Sequence, residues 1–360
     1  MSDADPLFDD VELSSLTLDN RLGLAPMTRT SAHADGRATD RMTGYYTKFA
    51  DGGFSLIITE GTYPEQRGKG YNDQPGLETD AQADSWEPVV DAVHDSGAAI
   101  ISQLMHAGPL TQADDGEAVG PSAVKPKGEQ LPIYGGEGEF DTPRELSTDE
   151  LDEIRDSFAA AAERAVDAGF DGVEIHGANG YILDTFLTRH LNDRTDDYGG
   201  SPEARARFPV EVLDAVLDAT PDDFVVGIRL SQTKVNDDEH RWNAEEAETY
   251  LTSFNDADYV HVTDPDITTP AFPETDKTLA ELAVQYAEVP IIANGGLGDP
   301  ADARDTVRAG ADLITLATSA LANSDWPARV ASDEPLAEFD FEATLLPKAT
   351  IKDSEVPSDD

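Results

Sequence analysis

Eight short apolar runs, each separated from the next by a longer stretch of helical character, constrain this chain more than any other feature. The runs are Leu22–Pro26, Leu56–Thr59, Ala98–Gln103, Gly172–His176, Val225–Arg229, Tyr259–Val262, Ile291–Asn294 and Leu313–Leu316. Brief apolar runs bounded by polar residues suit strands buried on both faces, as in a parallel sheet covered by helices. The segment Ser147–Ala168 shows what lies between them. Leu151, Ile154, Phe158, Ala162 and Ala165 fall on one helical face. Ser147-Thr148-Asp149-Glu150 is a capping pattern at its start, and Gly169 can end it. Strands and helices alternating in this way over roughly 320 residues predict a single closed (β/α)8 barrel of the α/β class. A doubly wound open sheet is the alternative. It would want a glycine-rich dinucleotide turn after the first strand, where Ala25-Pro26-Met27-Thr28 stands. No repeat of 20–50 residues is visible.

The barrel domain is expected over residues 1–334. Residues 111–146, rich in Gly, Pro and acid, read as a cap or hairpin inserted after the third strand. Residues 335–360 read as a loosely ordered acidic tail.

Composition narrows the chemistry. The chain has no Cys, which excludes disulfides, Cys-ligated zinc, iron–sulfur clusters and a thiol nucleophile. Acidic residues exceed basic ones by 73 − 25 = 48, a charge that opposes nucleic-acid phosphates and anionic lipid surfaces. The acids are spread along the chain rather than packed into one arm, which points to a surface adapted to molar salt. A merely acidic enzyme of ordinary salt is the competing reading. The first residues, MSDADPLFDD, carry no apolar core region, and no run of about 18 apolar residues occurs, so a cytoplasmic protein without membrane spans is expected.

In such barrels the chemistry sits at the C-terminal ends of the strands. Those ends carry Thr28, Glu60-Gly61, Gln103, His176, Arg229, His261, Asn294-Gly295-Gly296 and Ala317-Thr318. The glycine pair after the seventh strand and the small residues after the eighth match the usual phosphate site of the fold. No lysine ends a strand, which counts against a Schiff-base aldolase, and no metal-ligand cluster ends one either. The densest constellation is His176-Gly177-Ala178-Asn179-Gly180-Tyr181. His176 and Asn179 can aim two N–H donors at one oxygen and stabilise charge growing on it. The Tyr181 hydroxyl keeps its proton at neutral pH and could deliver it to a carbanion. From the residues alone, His176 and Tyr181 equally suit hydrogen-bonded core positions, Arg229 suits an ion pair with Glu174, and Thr28 and Gln103 suit a satisfied core.

Further stretches supply a resemblance. Asn20-Arg21, Ala25-Pro26-Met27-Thr28-Arg29, Ile58-Thr59-Glu60-Gly61-Thr62 and Gln103-Leu104-Met105-His106-Ala107-Gly108 lead to Ala168-Gly169-Phe170-Asp171-Gly172-Val173-Glu174-Ile175-His176. Asn192-Asp193-Arg194-Thr195-Asp196-Asp197-Tyr198-Gly199-Gly200-Ser201, Arg229-Leu230-Ser231 and Asn294-Gly295-Gly296 complete the set. Together with the His176–Tyr181 run they resemble the Old Yellow Enzyme family of FMN-dependent oxidoreductases over about residues 6–330.

The resemblance implies FMN as cofactor, NADPH or NADH as electron donor, and a small enone-type substrate whose activated C=C bond is reduced by ping-pong hydride transfer. It implies that Pro26, Met27 and Thr28 lie along the flavin, with Gly61 and Gln103 as further ring contacts. Arg229 would be the cation at the pyrimidine edge, and Gly295 and Gly296 would hold phosphate through backbone. His176 and Asn179 would hold the substrate oxygen, and Tyr181 would donate the proton. Four residues at three places depart from the family pattern. Ala317-Thr318 stands where a Gly-Arg pair usually holds the phosphate, Gln232 replaces a proline after Arg229-Leu230-Ser231, and Met105 replaces a bulky aromatic. Two rival functions remain at this level: a flavin-free barrel lyase or isomerase acting on a phosphorylated substrate, and a flavin-binding member without activity.

Overall fold

All eight apolar runs become strands of one closed barrel in the computed structural model, which describes residues 5–237, 239 and 241–356. The barrel strands are β1 (Leu22–Leu24), β2 (Leu56–Ile58), β3 (Ala99–Leu104), β4 (Gly172–Asn179), β5 (Val225–Lys234), β6 (Tyr259–Thr263), β7 (Ile291–Asn294) and β8 (Leu313–Leu316). Every neighbouring pair is parallel, and β8 closes the ring by pairing with β1. The open-sheet alternative is thereby excluded. Two strands run further than their apolar cores suggest. β4 continues to Asn179 and β5 to Lys234, with a register shift between Gly177 and Asn179; a lysine therefore does end one strand, against the sequence expectation, but its ammonium is buried against Asp184. Parallel pairing thus carries polar residues past the barrel rim, where their side chains can serve a site.

Burial follows the expected layers. One apolar cluster joins the outer strand faces to the helices, with Val173, Ile175, Val226 and Ile228 meeting Leu151, Ile154, Phe158 and Val212. The helix Thr148–Asp167 carries the capping box of Ser147 and Glu150, and Gly169 follows it at φ +85°. Inside the barrel, a β-carbon on Gly227 would fall 2.1 Å from the Tyr259 ring, so glycine there leaves room for that buried aromatic.

A hairpin missed by the strand count precedes β1, pairing Val11–Leu13 with Leu16–Leu18 antiparallel. Its Val11, Leu13 and Leu18 pack on Leu56, Val225, Tyr259, Ile292 and Leu313 at the strands' beginnings. Each such buried side chain contributes about 1.5–3 kcal/mol. The hairpin plugs one end of the barrel and leaves the opposite, C-terminal end for chemistry.

The segment 111–146 brings Tyr134 to the cavity at that open end and is not a simple hairpin. Its two-residue strands Val119–Gly120 and Arg144–Glu145 pair in parallel, and the turn Pro132–Tyr134 lies between them. The expectation of a loosely ordered tail needs correction. Its described end packs against the loop after β1. Ala349 and Ile351 are buried. Arg29 donates from Nε to the Ala349 carbonyl at 3.0 Å and pairs with Glu355 at 2.6 and 2.7 Å. Arg41 reaches Asp353 at 2.7 Å. Acidic side chains in this segment therefore answer two specific arginines, a long-range pairing that local composition does not reveal.

Candidate active site

Three strand ends supply the wall nearest β1. Pro26, Met27, Thr28, Gly61, Gln103 and Met105 border a cavity of about 240 Å³ at the open end of the barrel. The loop carrying Thr28 is held from below by Glu60, whose Oε2 accepts the Arg29 N–H at 2.8 Å and the Thr30 N–H at 2.9 Å. That anchorage offsets a left-handed Thr30 at φ +37°, a conformation that costs a non-glycine residue about 1–3 kcal/mol. Burial raises the Glu60 carboxyl to about 7, against the lowering effect of those two N–H donors. Gly61 is needed for close approach, since a β-carbon there would lie 2.5 Å from Met105 Sδ.

The same cavity receives His176, Asn179 and Tyr181 from the extended end of β4. Asn179 and Gly180 both have positive φ, 63° and 92°, which turns the chain sharply so that residues three and five beyond His176 face one space. The Asn179 N–H donates to Ser231 Oγ at 2.8 Å, and the Gly180 N–H donates to Asp184 Oδ2 at 2.6 Å. Burial lowers His176 to about 3, and the nearby Arg229 charge adds to the effect. Its ring is therefore neutral at ordinary pH and carries one N–H; Nδ1 has no partner among the described residues. Burial raises Tyr181 above the usual phenol value, while Tyr71 and Arg229 pull the other way. The Tyr181 and Tyr71 hydroxyls lie 2.8 Å apart, and the Tyr181 ring meets His176 edge-on at 4.9 Å.

Arg229 reaches the cavity from β5. Its Nη2 donates to Asn294 Oδ1 at 2.7 Å, so its direct hydrogen bond goes to Asn294 on β7. Glu174 is instead satisfied by Gln103 Nε2 at 2.8 Å, His261 Nδ1 at 2.7 Å and the Tyr259 hydroxyl at 3.2 Å. Burial opposes charge on Glu174, but His261, Arg229 and the Gln103 amide outweigh it and hold the carboxyl at about 2. Burial lowers Arg229 from the ordinary guanidinium value and the Glu174 charge raises it, and an arginine so placed keeps its proton. Its Nε is buried with no hydrogen-bond partner among the described residues. A buried N–H without an acceptor costs about 1–3 kcal/mol, which argues for a polar or anionic group completing the site.

A second cavity, about 360 Å³, adjoins the first. Gly295, Gly296, Gly298, Asp299 and Ser319 border it, and Ala317 and Thr318 border both cavities. Gly295 at φ +123° brings the backbone so near Asp264 that a β-carbon would lie 1.7 Å from its carbonyl oxygen. Two adjoining spaces, one flanked by Met27, Thr28, Gln103 and an incompletely bonded arginine, the other by glycine backbone, fit the ring and the phosphate of FMN. No lysine or arginine borders the second cavity. Four residues sequence reasoning had not placed here also border the first: Arg29, Tyr134, Leu321 and Leu345. Tyr134 comes from the cap and Leu345 from the C-terminal segment, both remote in sequence from the strand ends. No group of three or more metal-ligating side chains occurs among the described residues, and no helix among them is long and apolar enough to cross a membrane.

Known proteins resemble this chain in sequence and fold. The profile of the NADH:flavin oxidoreductase / NADH oxidase family matches residues 6–337. The chain is 35% identical over 343 residues to 12-oxophytodienoate reductase 1 of Oryza sativa subsp. japonica, covering 93% of this chain and 88% of the relative. Among solved structures, the old yellow enzyme homologue from Zymomonas mobilis superposes with a TM-score of 0.86 at 29% identity, covering 97% of this chain and 98% of that one. Morphinone reductase in complex with tetrahydroNAD gives 0.83 at 33% identity, covering 99% and 100%. With the family profile spanning nearly the whole barrel, this chain belongs to the NADH:flavin oxidoreductase / NADH oxidase family.

Proposed function

We propose that this protein is an FMN-dependent ene-reductase that uses NADH or NADPH to reduce the activated C=C bond of α,β-unsaturated carbonyl compounds. One observation carries the reading. His176, Asn179 and Tyr181 share a single cavity with Met27, Thr28, Gln103 and Arg229, and Ala317 and Thr318 border both that cavity and the glycine-lined one. When bound, FMN supplies the hydride chemistry, accepting a hydride from the nicotinamide donor and passing it to the β-carbon of the substrate.

The side chains supply the rest. Pro26, Met27, Thr28, Gly61 and Gln103 would hold the flavin ring, Arg229 would supply the cation at its pyrimidine edge, and Gly295, Gly296, Ala317 and Thr318 would hold the phosphate. His176, kept neutral by burial, and Asn179 donate to the substrate's carbonyl oxygen and stabilise the charge that grows there. Tyr181 retains its proton until the α-carbon takes it, and Tyr71, 2.8 Å away, orients that hydroxyl. Met27, Met105, Tyr134, Leu321 and Leu345 give the cavity apolar walls that limit water near the reacting atoms. The net charge of −48 supports action in a salt-rich cytoplasm, where screening shortens to about 3 Å near 1 M salt.

An anaerobic titration tests the reading. Protein reconstituted with FMN should lose its yellow absorbance on addition of NADH or NADPH and regain it with cyclohexenone. No flavin binding would favour the lyase or isomerase on a phosphorylated substrate. Bleaching without reoxidation by an enone would favour a flavin-binding member without this activity.

A further inference from the structure

A buried ammonium lies behind the turn that carries Asn179 and Tyr181. Lys234 ends β5, its side chain is 1% exposed, and its Nζ pairs at 2.6 Å with Asp184 Oδ1, whose side chain is 0% exposed. Neither residue borders the cavity that holds His176, Asn179 and Tyr181. Such a pair is a poor way to gain stability, because both charges leave water; apolar residues of similar size often do as well. Its placement has a geometric consequence instead.

Asp184 uses its second oxygen to accept the Gly180 N–H at 2.6 Å. The Lys234 ammonium also donates to the Ser231 carbonyl at 3.3 Å, and Ser231 Oγ accepts the Asn179 N–H at 2.8 Å. The Val235 N–H, next along the chain, donates to the Asn179 carbonyl at 3.2 Å. One cation therefore joins Asp184 to the backbone of Ser231, the two residues whose side chains grip consecutive left-handed residues, Asn179 at φ 63° and Gly180 at φ 92°. Asp184 belongs to the short helix Ile182–Leu187, which begins directly after Tyr181. The Lys234 ammonium also lies 5.8 Å from the centre of the Trp242 ring, which helps hold it in place.

We infer that Lys234 is a positioning residue for the reduction of substrate: its link between Ser231 and Asp184 fixes the turn that presents Asn179 and Tyr181. The inference rests on the roles proposed above for those two side chains. Misplacing a reacting group by about 1 Å can cost 10²-fold in rate, so a loosened turn should act on chemistry before it acts on the fold.

The test compares holoenzyme variants by stopped flow and by ligand titration. Lys234→Met should slow reoxidation by cyclohexenone roughly 10–100-fold. It should weaken binding of 4-chlorophenol, read from the flavin spectrum, about tenfold, the loss of one donor's worth of alignment. Glu246→Gln breaks another buried pair, Arg205–Glu246 at 2.6 Å, and should lower the melting temperature while leaving phenol affinity and reoxidation rate near wild type. If Lys234→Met does not fold, Lys234→Met/Asp184→Asn leaves no unpaired buried charge, retains an acceptor for Gly180, and should still reoxidise at least about fivefold slowly. Wild-type rate and phenol affinity in the foldable Lys234 variant would overturn the inference, as would equal losses in Glu246→Gln. Tyr181→Phe, measured alongside, separates the two levels. A slowed Tyr181→Phe with an unaffected Lys234 variant refutes only the positioning role, whereas an unaffected Tyr181→Phe refutes the site reading and this inference together.

Discussion

Replacing Thr318 by arginine should tighten FMN binding, and the size of the gain should depend on salt. Thr318 stands where the flavin-ring cavity meets the glycine-lined one. Backbone and hydroxyl groups border the second cavity, and the one charged side chain among its bordering residues is Asp299, of the wrong sign for a phosphate. A hydrogen bond to a charged group contributes about 1.5–3 kcal/mol net, equivalent to roughly 10–100-fold in dissociation constant. At about 0.15 M salt the screening length is 8 Å and most of that gain should appear; near 1 M it is about 3 Å and a partly exposed pair loses much of it. Thr318 is exposed, so screening applies. The assay is the recovery of FMN fluorescence on release, measured for both proteins from 0.1 to 3 M KCl, roughly the range over which screening changes most. Wild type should release FMN as salt falls, and Thr318→Arg should retain it. An equal gain at all salt concentrations would show that screening is not what allows threonine here. No gain at any salt would mean that the phosphate does not lie beside residue 318, or that Asp299 captures the new guanidinium.

Tyr181→Phe should slow reoxidation by an enone about 10²–10⁴-fold while leaving flavin reduction by NAD(P)H nearly intact, as stopped flow would show; equal losses in both half-reactions would dismiss the proton-donor role. His176→Ala should weaken phenol binding and slow enone reduction by roughly 10–10³, the scale of one donor to a growing oxyanion. Glu60 makes stability depend on pH. Its folded value of about 7 lies above its unfolded one, so the folded chain holds a proton the unfolded chain has released, and stability falls as pH rises from about 4.5 through 7. The full shift corresponds to about 3 kcal/mol, and Glu60→Gln should remove that decline; parallel melting-temperature curves for the two proteins from pH 5 to 8 would count against it. Dialysis from molar KCl to about 0.1 M should unfold or inactivate the protein through repulsion among its excess acids, and an unchanged melting temperature would refute this.

The strands were legible because a parallel strand covered on both faces must be apolar along its whole length, as Val225-Val226 and Ile291-Ile292 are. What lay beyond their apolar part was not. Residues 177–179 and 230–234 pair across a register shift, and polar residues in a strand look like loop to any hydropathy count. The strand-end rule gathered Thr28, Gly61, Gln103, His176 and Arg229 into one cavity because the fold fixes where strand ends point. Tyr134 and Leu345 escaped it, since they reach the cavity from the cap and the C-terminal segment through contacts that no local pattern encodes. Arg229 illustrates the limit within the core. Sequence offered Glu174 as its partner, yet Gln103, His261 and Tyr259 satisfy that carboxylate, and the guanidinium bonds to Asn294 two strands away. Glu60 was noticed only as the neighbour of Gly61. Its grip on Arg29 and Thr30 depends on the β1 and β2 loops crossing, and spacing gives no sign of that.

The pairing of Arg29 with Glu355 sets an order of events during synthesis. These residues lie 326 positions apart, and the first directly follows the Pro26-Met27-Thr28 strip. At 5–20 residues per second, roughly 16–65 s pass between the making of one and of the other. Throughout that interval the growing chain holds an arginine without its carboxylate partner, and for most of it a first strand without β8, its eventual neighbour. The wall of the cavity nearest β1 is thus translated long before it is secured. A ribosome that stalls between the codons for β8 and Glu355 would leave the eight strands already translated and the Arg29 loop without its anchor.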